Sequence, residues 1–510
     1  MTKRELQDSA KGFIQKDPSK AIEICLEIYE NHAEEFNKFD AVNLLQAARK
    51  AHKTNIIKLQ EIVGKFKEDE IVFSLCGWYI FDNYIKNKSP QQILQFENII
   101  GQYLPLLKQK DVSLNNQYPC PFYLIVSNLW AAHSNNLFNA NKIFDYCKII
   151  NPDFLSKESS SYTTNEGRDV EQASPYETYF QYYTKACDKL NKAEEALKAC
   201  NLALSSISEF HYDNDLWFKM RIARAYIKLN NLDLAEKQYL EIINSKAGSS
   251  KYFLFKEFSE ILFNQKRYEE SWEKSLRSAI VLKDVKFCAS LLLHQSRILV
   301  RLNRINEAKR FAEVIYAGIQ EGLWNNSAKY QKLVNYFELK EVTGNAKTLF
   351  KKLYSYYKDE LYSDSPSSKG EIIFIHKNGR FGKIKCTDES VINFTKNSFN
   401  KAHHRIDKFK NAEISFVSDY DYKADPIAEN IKIITLKKED EIIGEIFKGK
   451  VQNIVDFGIF IDFDSGKSGL SHISVLESNF KEIYDANDFV KIKIIKKTEK
   501  GYSLKILEKL

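Results

Sequence analysis

The chain has 510 residues, 44% of them hydrophobic and 28% charged. That balance excludes a disordered or collagen-like chain and leaves room for about two to four domains with real cores. The formal net charge is +7, a mild basic bias over this length and too weak for a nucleic-acid coat or a polybasic tail. No apolar run is long enough to cross a bilayer. Residues 1–8 carry charge with no apolar stretch behind them, so no signal peptide is expected. Eight cysteines (Cys25, Cys76, Cys120, Cys147, Cys187, Cys200, Cys288 and Cys386) are scattered, with no Cys-x-x-Cys pair. They read as reduced, mostly buried thiols, which points to a cytoplasmic protein.

Residues 1–155 are helical in pattern. Ala21, Ile22, Ile24, Cys25, Ile28 and Tyr29 recur at helical spacing behind Asp17-Pro18-Ser19, a helix start. Val42, Leu44, Leu45, Ala47 and Ala48 make a second stripe. Residues 71–85, with Phe73, Leu75, Trp78, Tyr79 and Phe81, are apolar on most sides and predict a helix buried among others. Residues 124–150 predict a helical hairpin, with Leu129, Trp130 and Ala132 on one arm and Ala140, Ile143, Phe144 and Cys147 on the other. Asn151-Pro152 ends it. These aromatics read as core packing rather than a cofactor box. Residues 156–175 lack periodicity and bulk and read as an exposed loop or disordered insert.

Residues 176–362 carry a repeat of two-helix units. Its markers are the small residues opening each second helix, Ala196, Ala235, Ser271 and Ala308, at steps of 39, 36 and 37 residues. The pattern resembles the tetratricopeptide repeat, most closely over residues 225–243, although the steps are long and most first-helix Trp and Gly residues are missing. The resemblance implies a solenoid whose concave surface holds a protein or peptide. A plain scaffold arm is the alternative. Residues 363–369, rich in Ser, Asp and Pro, then read as a flexible linker.

Residues 370–436 resemble the cold-shock domain. The match runs through Phe374-Ile375-His376 and Phe381-Gly382-Lys383-Ile384, with later strands around 412–416 and 428–431. The resemblance implies an OB-type barrel that stacks bases on aromatic rings of neighbouring strands. Phe374 and Phe381 fall on those positions. Lys383 stands where a second aromatic is usual, and Asn393 and Thr395 replace an aromatic and a histidine. The platform is thereby about halved, with Arg380, Lys383 and Lys385 available for phosphates. The alternative is a spacer barrel that no longer binds.

After a charged joint at 437–441, residues 442–510 hold short β-branched and aromatic runs broken by Gly, Asp and Ser, which predict a small barrel. Gly458 reads as a mid-strand bend. The runs Gly449-Lys450-Val451, Phe457-Gly458-Ile459-Phe460 and Gly469-Leu470-Ser471-His472-Ile473-Ser474 resemble the S-one-type RNA-binding domain, an OB-fold. The resemblance implies a nucleic-acid face of Phe457, Phe460 and His472, with Lys450 nearby. Lys496, Lys497 and Lys500 replace the usual acid and arginine of the last strands, which shifts binding toward phosphate charge. The alternative places Phe457 and Phe460 in the core.

Two look-alikes are set aside. Gly466-Lys467-Ser468 resembles the tail of a phosphate-binding loop, but the first glycine of that motif would be Ile461. His403-His404 with Asp407 lacks a further ligand at metal spacing, so a solvent-facing or capping role is expected; Asp419-Tyr420-Asp421 reads as loop. No nucleophile–base pair, paired-carboxylate site or dinucleotide fingerprint is present.

The expectation is therefore an α + β multidomain protein, an N-terminal α-solenoid of helical hairpins followed by two small OB-type β-barrels. It binds single-stranded RNA first and single-stranded DNA second. It takes a protein or peptide on the solenoid, and it has no cofactor, metal, membrane contact or catalysis of its own. Two barrels in series raise effective concentration, so two weak sites act as one stronger site. The alternatives are a protein–protein adaptor whose barrels have lost nucleic-acid binding, and the regulatory arm of a separate RNA-acting enzyme.

Overall fold

Caps written into the sequence start the first helices. In the computed structural model, Thr2 and Glu5 exchange hydrogen bonds in a capping box that opens α1 (Lys3–Lys16). Asp17 caps α2 (Pro18–Asn31), with Pro18 at the first position, where a missing N–H costs nothing. Helices α3 (Lys38–Ala51), α4 (Leu59–Lys65), α5 (Glu70–Ile80), α6 (Pro90–Gln95), α7 (Glu97–Tyr103), α8 (Pro121–Ser134) and α9 (Ala140–Lys148) follow. The structure describes every residue except 55, 57, 115–119, 165, 283, 402, 404–405, 421–424, 436–442, 464–466 and 499–500. The charged joint, His404, Asp421, Gly466 and Lys500 thus lie outside the described residues.

The chain divides into two compact units, Met1–Ala346 and Lys347–Leu510. In the first, one core runs from Leu6 to Ile222 and takes in Tyr79 and Trp130, both fully buried. Residues 156–175 are not a loop. Strands β1 (Ser160–Thr163) and β2 (Asp169–Gln172) pair antiparallel, and Thr163 Oγ1 donates to Asp169 at 2.6 Å. The four residues of β2 include none that is buried, so no hydrophobic alternation announces that strand.

Four helix pairs follow: α10 (Pro175–Lys189) with α11 (Ala193–Ser206), α12 (Asp215–Lys228) with α13 (Leu232–Ile243), α14 (Tyr252–Asn264) with α15 (Tyr268–Val281), and α16 (Ala289–Arg301) with α17 (Ile305–Gln320). Helix α18 (Ala328–Tyr336) comes after them. Each pair turns on one residue at positive φ: Asn191, Asn230, Lys266 and Asn303. The next residue's N–H reaches back five residues, from Lys192 to Cys187, Asn231 to Tyr226, Arg267 to Leu262 and Arg304 to Leu299. That is a Schellman closure, and asparagine suits its left-handed position. The small residues of the repeat sit one turn of helix later, each at most 1% exposed. Turn and packing residue therefore share one period. Across pairs, Arg224 on α12 donates to Asp188 on α10 at 3.0 Å and to Glu257 on α14 at 2.9 Å, and Tyr239 also bonds Glu257.

A buried polar knot ties α14, α15 and α16. Ser259 Oγ donates to the Ser271 carbonyl at 2.6 Å, and Ser271 Oγ returns a bond to the Ser259 carbonyl at 2.7 Å. The Ser259 proton is thus used, and His294 Nε2–H donates to Ser259 Oγ at 2.8 Å. Burial, reinforced by the Lys256 and Arg297 charges, pulls the His294 pKa from 6.5 down to about 3. Below pH 6.5 the unfolded chain binds a proton that the folded one refuses, so stability falls as pH drops toward 3. The expected loss is about 2 kcal/mol between pH 6.5 and 5. Urea midpoints of parent and His294→Gln at both pH values check this, since the variant lacks that slope. Equal slopes would remove the assignment.

The second unit begins with α19 (Ala346–Leu361), which ends the segment expected to be repeat. The helix is bonded to the barrel after it: Tyr354 to the Asn397 carbonyl, Lys358 to Glu429, Asp359 to Asn400 and Lys432, and Tyr362 to Asp419. The last three residues of the expected linker are strand, because Ser367, Ser368 and Lys369 pair with Val417, Phe416 and Ser415. Strands β3 (Ser367–Ile375), β4 (Phe381–Cys386), β5 (Val391–Thr395), β6 (Glu413–Tyr420) and β7 (Pro426–Thr435) close in the order β3-β4-β5-β7-β6. Asp419 and Tyr420 are strand, not loop. His403 is not solvent-facing: its ring meets Phe399 and Phe409 edge-on at 5.3 and 4.6 Å, and burial lowers its pKa.

Strands β8 (Ile446–Val455), β9 (Gly458–Phe463), β10 (Lys467–His472), β11 (Phe489–Thr498) and β12 (Gly501–Lys509) close a second barrel, with α20 (Phe480–Ile483) between β10 and β11. Gly458 opens β9 rather than bending it midway. Its φ is +152°, and a Cβ there would lie 2.3 Å from the Ser471 carbonyl oxygen. All eight cysteines are unbridged, seven of them buried. Among the described residues no helix is long and apolar enough to cross a membrane, and no cluster could hold a metal.

Candidate nucleic-acid interface

The face of the second barrel is set by alternation and one bulge. Along β9, Ile459, Ile461 and Phe463 point inward and are buried, which sends Phe460 and Asp462 outward. Phe460 lies opposite Asn453 on β8 and Leu470 on β10. The register shifts at Gln452, so Gln452 and Asn453 are both exposed beside it. Phe457 sits on the two-residue turn before Gly458. Lys481 grips that turn by donating to Asp456 at 2.5 Å, which holds the Asp456 carboxyl below its usual range.

Phe457 is 51% exposed and Phe460 38%, and their rings meet edge to face at 6.1 Å. Neither belongs to the barrel core, which is built from Val451, Ile459, Ile461, Phe463 and their neighbours. His472 pairs with Gly458 and is exposed on the same side. The Ser474 N–H donates to His472 Nδ1 at 3.2 Å, which leaves the ring proton of the neutral form on Nε2. Lys450 lies opposite Asp462 on one side and Phe489 on the other, about 7 Å along the strand from the Phe460 row. Lys496 and Lys497 pair with Ser503 and Tyr502 and stay exposed. Phe489 was missed from sequence. It is 46% exposed, with Lys448 Nζ 4.4 Å over its ring; its signal is the alternation of Phe489, Lys491 and Lys493 with buried residues.

On the first barrel the register puts Phe374 opposite Lys383, Lys383 opposite Asn393, and Phe381 opposite Thr395. These five positions therefore share one outer face. Strict alternation from buried Ile372 would have turned Phe374 inward. A bulge at Ile373 exposes both residues, and Phe374 is 43% exposed. Phe381 carries a neighbour that sequence reasoning did not assign: the His376 ring stacks on it at 4.4 Å and 21°. Arg380 is exposed in the β3–β4 turn. Lys385 is engaged by Glu389 at 2.6 Å, across the β4–β5 turn. The two barrels thus each present exposed rings among cations.

The family model of the S1 RNA binding domain matches residues 440–506. The last barrel is an S1 RNA-binding domain. The S1 stretch is similar to polyribonucleotide nucleotidyltransferases, 38% identical over 80 residues in Brachyspira hyodysenteriae and 52% identical over 40 residues in Novosphingobium aromaticivorans. These alignments cover 15% and 8% of this chain and only 11% and 5% of the relatives. Among solved structures, the apo form of the quorum sensor NprR from B. thuringiensis aligns with 71% of this chain and 87% of its own, at 13% identity and a TM-score of 0.32. Drosophila Unr CSD456 aligns with 30% of this chain and 66% of its own, at 16% identity and a TM-score of 0.13.

Proposed function

We propose that the C-terminal unit binds single-stranded nucleic acid, RNA before DNA, while the helical array receives a partner protein, with no catalysis by the chain itself. The observation that carries this reading is the pair of solvent-facing rings Phe457 and Phe460 beside His472 on a barrel of S1 sequence. A ring kept in water offers its π face to any base, which suits sequence-tolerant stacking. Lys450, Lys448 and Lys496 supply charge for phosphates. Phe489 under Lys448 extends the S1 face, and His376 on Phe381 partly restores the reduced platform of the first barrel. The first barrel, with lysine and asparagine where rings are usual, is the weaker of two sites held in series. The period of turns and small residues supports a tetratricopeptide-like origin for the array, and its unbridged thiols support a cytoplasmic location.

Fluorescence anisotropy of the full chain against labelled poly-U RNA, the matching DNA and a duplex tests this. Single strands are expected to bind, and the log of the affinity is expected to fall with log salt by about 0.7 per phosphate neutralised. Binding to none of the three at micromolar protein would favour the adaptor alternative.

A further inference from the structure

The first unit holds an open groove of about 510 Å³ between α14, α16 and α18, the size of a ligand cleft. Its floor is apolar, formed by Phe263, Leu293 and Leu333. Its walls are not. Arg297 and Arg301 stand one turn apart on α16, and Lys329 and Lys332 stand one turn apart on α18. Other arginines in the array are neutralised: Arg267 by Glu236 and Glu270, Arg304 by Glu307. Among the described residues none of the four groove cations makes an ion pair, and no carboxylate lines the groove. Arg297 lies over the Phe263 ring at 5.2 Å, and Tyr336 at the mouth is 58% exposed. Two pairs of like charges facing each other repel, so the free groove is electrostatically unsatisfied and complementary to acid.

We propose that this groove binds an acidic peptide segment of a partner protein. The segment would bury one aliphatic side chain on the floor and set carboxylates against both walls. The inference rests on the reading that the helical array receives a protein, and it names that partner's chemistry. Cations on two opposed walls ask for charge on both sides of an apolar anchor, which a peptide supplies and a single fatty-acid carboxylate does not. A nucleic-acid strand satisfies the walls but brings no aliphatic group for the floor, and the Phe263 ring is already covered by Arg297.

The test uses the full chain and a short labelled peptide with a central leucine between glutamates. Controls replace the glutamates with glutamines, or the leucine with serine. Binding is expected for the parent peptide and about tenfold weaker or worse for each control. Arg297→Ala with Arg301→Ala, and separately Lys329→Ala with Lys332→Ala, are each expected to weaken it comparably while leaving poly-U binding unchanged. All four residues are solvent-facing, and if one pair of substitutions unfolds the array, the other decides. Equal binding of the charged and glutamine peptides overturns the proposal but leaves a protein-receiving array standing. Failure of every peptide, displacement by poly-U, or displacement by a fatty acid also overturns it.

Discussion

Replacing Phe457 and Phe460 together with alanine is expected to weaken single-stranded RNA binding by the full chain at least about thirtyfold. Each base stacked on an aromatic ring contributes about 1–3 kcal/mol, and even the lower figure for two rings gives that factor. The rings lie outside the barrel core and are 51% and 38% exposed. The thermal midpoint should therefore stay close to that of the parent, because exposed substitutions usually change stability by under about 0.5 kcal/mol. That separates lost binding from lost folding. Phe381→Ala should cost less, since its platform already has Lys383, Asn393 and Thr395 in place of rings. Unchanged affinity in the double variant would sink the aromatic-face model, whatever the lysines contribute.

The second large effect concerns the seam between α19 and the first barrel. Lys358 is 1% exposed, and its ammonium donates to Glu429, which also accepts from Ser398 Oγ at 3.2 Å. Glu429→Ala leaves that buried ammonium without its carboxylate, and breaking a buried pair in this way costs about 3–5 kcal/mol. Hydrogen exchange in α19 and β7 should accelerate by orders of magnitude. The paired change Lys358→Met with Glu429→Leu should recover most of the protection, because it removes both charges at once. Protection equal to the parent in Glu429→Ala would show that the helix is held by its apolar contacts alone. This seam also means that a barrel fragment should begin near residue 346, not at 370.

Much of the candidate site was legible because it rests on local patterns. Alternation along Ile459, Phe460, Ile461 and Asp462 is enough to turn Phe460 outward. The period of the helix pairs was equally readable, since a small residue must sit where two helices touch. Phe374, like the other candidate rings, was singled out by resemblance. Alternation from Ile372 points it inward, and the bulge that reverses it depends on how β3 pairs with β4. His376 on Phe381 and Phe489 under Lys448 were missed for the same reason. Each contact crosses between strands or spans a turn, and single-chain periodicity carries no record of cross-strand register.

Sequence alone determined the order of a helical array and two barrels and the period of the helix pairs. These follow from short-range rules of spacing, capping and turn chemistry that act within a few residues. Tertiary structure alone decided that 160–172 is a hairpin and that α19 belongs to the barrel unit. It also decided that strand β3 begins inside the Ser-rich stretch, and that four cations gather around one apolar groove. In each case the deciding partner lies far away in sequence: Val417 for Ser367, Glu429 for Lys358, and Lys332 for Arg297. Polar or charged residues announce such partnerships only once the backbone has brought them together.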